Sequence, residues 1–85
     1  MDTLAIVTTI FGILMSFGYF TQTYKIFKLK SAKDVSLPTY LFFAVGISIW
    51  FVYGISITNY PIIISNIVFF FGAVSVIIAY FLNKH

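Results

Sequence analysis

Apolar residues run along this chain in long blocks that a single cluster of charge interrupts. Residues 1–24 carry one charge, Asp2, residues 25–34 carry five, and residues 35–83 carry none. A membrane-crossing helix needs about 20 predominantly apolar residues to span about 30 Å of hydrocarbon. The first block therefore supplies one span. The last block would be about 73 Å long as one helix, more than twice the hydrocarbon thickness, so it must fold back. Its turn signal is Thr58-Asn59-Tyr60-Pro61. Ser36 and Asn59 are suited to cap helices, and Pro38 and Pro61 are tolerated in first turns. The pattern predicts an all-α integral membrane protein with one domain, residues 1–85, and three transmembrane helices. These are expected at about 3–23, 37–57 and 60–82, with a basic loop at 25–36.

Composition strengthens this class. Hydrophobic residues make up 61% and charged residues 8%, against about 25% charged in soluble domains. A soluble chain of this size has too little interior to hide that much apolar surface. All five cations are lysines, and Lys25, Lys28, Lys30 and Lys33 lie together. Excess lysine marks the cytoplasmic side. The N-terminus is thus expected outside, and the C-terminus, with Lys84, inside. The net charge of +3 fixes orientation and gives no reason to expect nucleic acid. Recognition of lipid phosphate by the basic loop is the weaker second reading. Asp2 stands where a signal peptide would be positive, so the first helix is expected to be retained. With no cysteine in the chain, disulfides and thiolate metal sites are excluded.

Within the spans there is no Asp, Glu, Lys, Arg or His. Proton and ion relays through membranes are marked by such groups, so ion-coupled transport is not expected. Acid–base, nucleophilic-triad and metal-assisted chemistry also lack their side chains. The chain is expected not to be an enzyme and to need no cofactor. What remains is a neutral polar cargo.

Small residues form stripes where helices can approach closely in lipid. These are Ala5, Thr9, Gly12 and Ser16 on the first helix, Gly46 and Gly54 on the second, and Ser65, Gly72, Ser75 and Ala79 on the third. Two other residues have chemistry to offer. Asn66 places an amide in hydrocarbon, costly unless satisfied. It is either glue between helices or a ligand contact with both donor and acceptor. Trp50 is the single tryptophan. Counted from the outer turn, Trp50 lies about 10 Å deep and Asn66 about 9 Å. An indole face beside an amide suits a pyranose, while helix packing is the plainer alternative. Phe43, Gly46, Trp50, Tyr53 and Ile57 share one helical face. That face reads either as a pocket between two gates or as an ordinary packing seam.

Thr21-Gln22, followed by Lys30-Ser31-Ala32-Lys33-Asp34-Val35-Ser36, resembles the PQ-loop signature, a Pro-Gln pair before a Lys-Ser…Ser loop. With three spans, Trp50 and Asn66, nearly the whole chain resembles the bacterial SemiSWEET sugar transporters. The resemblance implies a homodimer of parallel three-helix bundles in the bacterial inner membrane. It implies uncoupled movement of mono- or disaccharides by alternating access along the two-fold axis. On this basis Trp50 and Asn66 line the sugar pocket, Tyr53, Ile57 and Asn59 belong to the outer gate, Phe43 to the inner gate, and Thr21 and Gln22 to the hinge. The motif departs from the family at Thr21, where proline is expected. Threonine would bend the helix only mildly, by bonding the Phe17 carbonyl, which leaves a hindered hinge or one moved to Gly18. Ile57 and Asn59 also cannot form the outer salt bridge that some relatives have. The alternatives are a small accessory membrane subunit and a passive oligomeric pore.

Overall fold

The computed structural model describes residues 2–84. It is helical: α1 (Thr3–Met15), α2 (Phe17–Leu29), α3 (Leu37–Ser56) and α4 (Tyr60–Asn83). Helices α1 and α2 run on as one 27-residue span, Thr3–Leu29, and all three spans are long and apolar enough to cross a membrane.

Each span starts on a side-chain cap. Asp2 Oδ1 accepts the Ala5 N–H at 2.7 Å. Ser36 Oγ accepts that of Thr39 at 3.4 Å, and Asn59 Oδ1 accepts that of Ile62 at 3.1 Å. These bonds satisfy backbone donors that lack partners inside the helix. Pro38 and Pro61 stand in first turns, where no backbone N–H is missed.

The first span continues past Thr23 to Leu29, so Lys25 and Lys28 are helical and not part of a loop. Charge ends a membrane crossing but does not end a helix, because lysine is a good helix former. The helix stops at Lys30, in the left-handed region at φ 51°, and the Ser31 N–H reaches back to the Ile26 carbonyl at 3.3 Å. The same device closes α3. Thr58 takes φ 51°, and the Asn59 N–H bonds the Gly54 carbonyl at 2.9 Å. Asn59 thus closes α3 with its backbone and opens α4 with its side chain, which makes the reversal between them very short.

Helix α4 packs along both other spans, whereas α3 has no close backbone approach to α1 or α2 among the described residues. The spatial order is first span, α4, α3. The Cα envelope is a slab of 46 × 21 × 14 Å. Its length suits a bilayer of about 40–45 Å including headgroups, and its thinness leaves no room for an enclosed channel.

The small-residue stripes of the first and last spans meet at Gly12 and Ser65, whereas Gly72 and Ser75 of the last span face Tyr19 and Thr23, outside the predicted stripe. A methyl group on Gly12 would collide with the Ser65 hydroxyl, and one on Gly72 would lie 2.6 Å from Tyr19 Cβ. Thr23 Oγ1 and Ser75 Oγ are 2.7 Å apart. Gly54 sits against Ile62 in the same way, at 2.7 Å. A methyl on Gly46 would meet nothing within 4 Å, so its expected role in packing is not realised within this chain. The most enclosed packing lies near the basic connection, where Ile26, Ala32, Val76 and Ala79 are buried beneath Tyr19, Val35, Tyr40 and Tyr80.

Candidate functional site

The part of one α3 face that holds Gly46, Trp50, Tyr53 and Ile57 has little covering within this chain. Trp50 is 57% exposed and Tyr53 50%. Their rings meet edge to face at 5.8 Å. Gly46, one turn below Trp50, leaves open space where a side chain would stand. Ile57, at the end of the helix, is also exposed.

Phe43, at the other end of this face, belongs to an aromatic cluster. Its ring contacts Tyr40 at 5.7 Å and Tyr19 at 6.3 Å, both edge to face. Tyr19 also meets Tyr40 at 6.1 Å and Phe69 at 6.0 Å. Tyr19 therefore joins all three spans, each ring pair contributing roughly 0.5–1.5 kcal/mol beyond its buried area. Sequence reasoning missed Tyr19 and Tyr40. Tyr40 had a legible signal, since it precedes Phe43 by three residues and shares its face. Tyr19 had none, because its partners lie on other helices.

Asn66 donates Nδ2–H to the Ile62 carbonyl at 2.7 Å, a bond within its own helix. It does not tie α4 to another span. Its second N–H and its Oδ1 make no other hydrogen bond among the described residues, so both a donor and an acceptor stay free. Asn66 borders a groove of about 310 Å³ between α3 and α4, lined also by Ile47, Ser48, Phe51, Val52, Ile67, Phe70 and Phe71. Trp50 is not among the groove residues, so within this chain these two side chains do not share that groove.

Asn59 is engaged as the α4 cap. Thr21 is exposed, and its hydroxyl does not bond the Phe17 carbonyl. The hydroxyls that do bond back along this span are those of Thr9, Ser16 and Thr23. The irregularity in the span lies at Ser16, earlier than the residues the motif marks. Ser16 is fully buried; its hydroxyl donates to the Ile13 carbonyl at 2.5 Å, and its N–H is shared between Gly12 and Ile13. A buried hydroxyl competing for helix carbonyls loosens the regular pattern. Gly18, two residues on, has open space around it. Gln22 is half-buried and borders a cleft at the basic end.

Comparison with known proteins places these features together. Residues 2–85 match the family described as sugar efflux transporters for intercellular exchange. The Leptospira biflexa sugar transporter SemiSWEET is 34% identical over 71 residues, covering 84% of this chain and 82% of that protein. The SemiSWEET of Escherichia coli strain UMEA 3162-1 is 26% identical over 84 residues, covering 99% and 94%. A crystal structure of a bacterial homologue of SWEET transporters superposes with a TM-score of 0.88 at 34% identity, over 94% of this chain and 96% of that one. A slab of three spans, free of membrane-embedded charge and with an uncovered aromatic face, agrees with these relatives in sequence and in fold: the chain belongs to the SemiSWEET family of sugar transporters.

Proposed function

We propose that two copies of this chain form a parallel homodimer that carries neutral mono- or disaccharides by uncoupled, alternating access. The observation that supports this most is the uncovered face of α3. Trp50 and Tyr53 are half exposed, and Gly46 leaves a gap beside them. In a dimer whose two slabs face each other across this surface, the paired Trp50 rings and Asn66 amides line one pocket. Pyranose C–H faces lie on indole, and hydroxyls pair with the free donor and acceptor of Asn66. Tyr53, Ile57 and Asn59 close the outer mouth, and Phe43, braced by Tyr19 and Tyr40, closes the inner one. Thr21 and Gln22 stand at the hinge, with the irregularity at Ser16 and the open Gly18 taking part of the bend that proline would give.

Beyond Lys25 and Lys28 at the basic end of the first, the spans hold no Asp, Glu, His, Lys or Arg to carry a coupling proton, so sugar moves down its own gradient. The four lysines of residues 25–33 put the N-terminus outside and the C-terminus in the cytoplasm of a bacterial inner membrane. The accessory-subunit reading needs Asn66 as glue between helices, and its bond to Ile62 within α4 counts against that. The test is uptake by purified protein with Trp50→Ala and Asn66→Ala. Each change should lower sugar flux at least about tenfold, a loss typical of a buried contact residue, while crosslinking still reports the dimer. Unchanged flux, or loss of the dimer alone, would favour a packing role.

A further inference from the structure

Where the basic connection leaves α2, a cleft of about 600 Å³ opens, lined by Gln22, Lys25, Ile26, Leu29, Ser31, Lys33, Asp34 and Val35. Its walls are held in place. Ala32 is buried in the core with Ile26, and the Val35 N–H bonds the Ala32 carbonyl at 3.1 Å. The polar groups are uncommitted by contrast. Lys28 lies over the Tyr24 ring at 5.8 Å, but Lys25, Lys33 and Asp34 form no ion pair among the described residues. Ser31 Oγ accepts the Lys33 N–H at 3.3 Å, which leaves its own proton to donate. The cleft thus combines two free ammonium groups, a hydroxyl and an amide with an apolar floor of Ile26, Leu29 and Val35, at the predicted level of the membrane surface.

We propose that this cleft binds the headgroup of one anionic phospholipid, the phosphate meeting Lys25, Lys33 and Ser31 and the upper acyl chain lying on Leu29 and Val35. The charge of the cleft complements a phosphate, and basic pockets beside cytoplasmic helix ends are suited to such headgroups. The apolar floor distinguishes a lipid from a free anion. Asp34, the one carboxylate in the lining, opposes the phosphate and limits affinity. A bound lipid would tie the end of α2, including Gln22, to the segment leading into α3. The proposal rests on the membrane placement of the chain and not on sugar transport.

The experiment is native mass spectrometry of the whole protein in neutral detergent, titrated with phosphatidylglycerol or phosphatidylcholine. Without a bilayer there is no surface potential, so binding reports direct contacts. Phosphatidylglycerol should bind at least about tenfold more tightly than phosphatidylcholine, a factor in keeping with hydrogen bonds to charged groups. Lys25→Gln with Lys33→Gln should remove that preference. Lys28→Gln with Lys30→Gln, the same charge change outside the lining, should keep it. Asp34→Asn should tighten phosphatidylglycerol binding about threefold, a gain that damage to the fold does not produce. Equal losses in both lysine pairs, no preference between the lipids, or displacement by excess inorganic phosphate would each overturn the proposal.

Discussion

Thr58 has the least favourable backbone conformation of any non-glycine residue in a turn here. It is β-branched and held at φ 51°, a region that such residues rarely enter. Replacing it by asparagine, which tolerates that region, should stabilise the protein by about 1 kcal/mol, read as a higher unfolding temperature in detergent. An unchanged or lower temperature would mean that the Thr58 side chain contributes a contact that outweighs its strain. Thr21 matters in a different way. It lies inside a regular part of α2 and makes no side-chain hydrogen bond to bend it. Proline at this position would delete the N–H bond to the Phe17 carbonyl and kink the helix. Thr21→Pro should therefore raise sugar uptake; equal or lower uptake would refute the hinge argument. Trp50 stands out in the sequence as the single tryptophan, but its lack of a shared cavity with Asn66 inside one chain was not legible. The bonding of Asn66 was not legible, since sequence gives an amide within a span no way to choose between its own helix and a neighbour.

At the scale of elements, α4 is the centrepiece and glycines set how closely its partners approach. A methyl on Gly72 would meet Tyr19 Cβ at 2.6 Å, while one on Gly18 would meet nothing within 4 Å. Gly72→Ala should therefore destabilise by about 1–3 kcal/mol through overpacking, and Gly18→Ala should not destabilise at all. Thermal unfolding of the two variants side by side checks this. Thr23 and Ser75 add a polar contact across the same interface. Each hydroxyl has one proton, yet Thr23 also approaches the Tyr19 carbonyl and Ser75 that of Gly72. Only one of the two can donate to its own helix while the other donates across. The stripes behind this packing could be read from spacing, because residues three and four apart share a face. Which stripe met which could not. Gly46 looked like Gly54 in sequence, and only the fold shows that one faces a helix and the other open space. The end of the first span was also missed, since the lysines that end the hydrophobic stretch remain helical.

At the scale of the molecule, the three-helix slab gives a physical reason for the second copy proposed above. With α4 between the other spans, the aromatic face of α3 is left uncovered and no channel is enclosed. Apart from Lys25 and Lys28 at the basic end of the first, the spans carry no Asp, Glu, His, Lys or Arg, so an imposed proton gradient should leave the initial rate of sugar uptake unchanged. A rate that follows the gradient would point to coupling through a group outside the spans. In the proposed dimer the outer mouth would be formed by Ile57 and Asn59, which cannot make a salt bridge, and Asn59 is occupied as a cap. An outward-open state should then be well populated, and double electron–electron resonance across the mouth of the dimer in lipid should show a distribution reaching long distances. A single short distance would contradict it. The most direct test of the account is uptake of labelled glucose and of labelled sucrose into proteoliposomes containing this chain alone. The account predicts saturable entry of at least one of them, lost in Trp50→Ala; entry that never saturates, or none above empty liposomes, would contradict it.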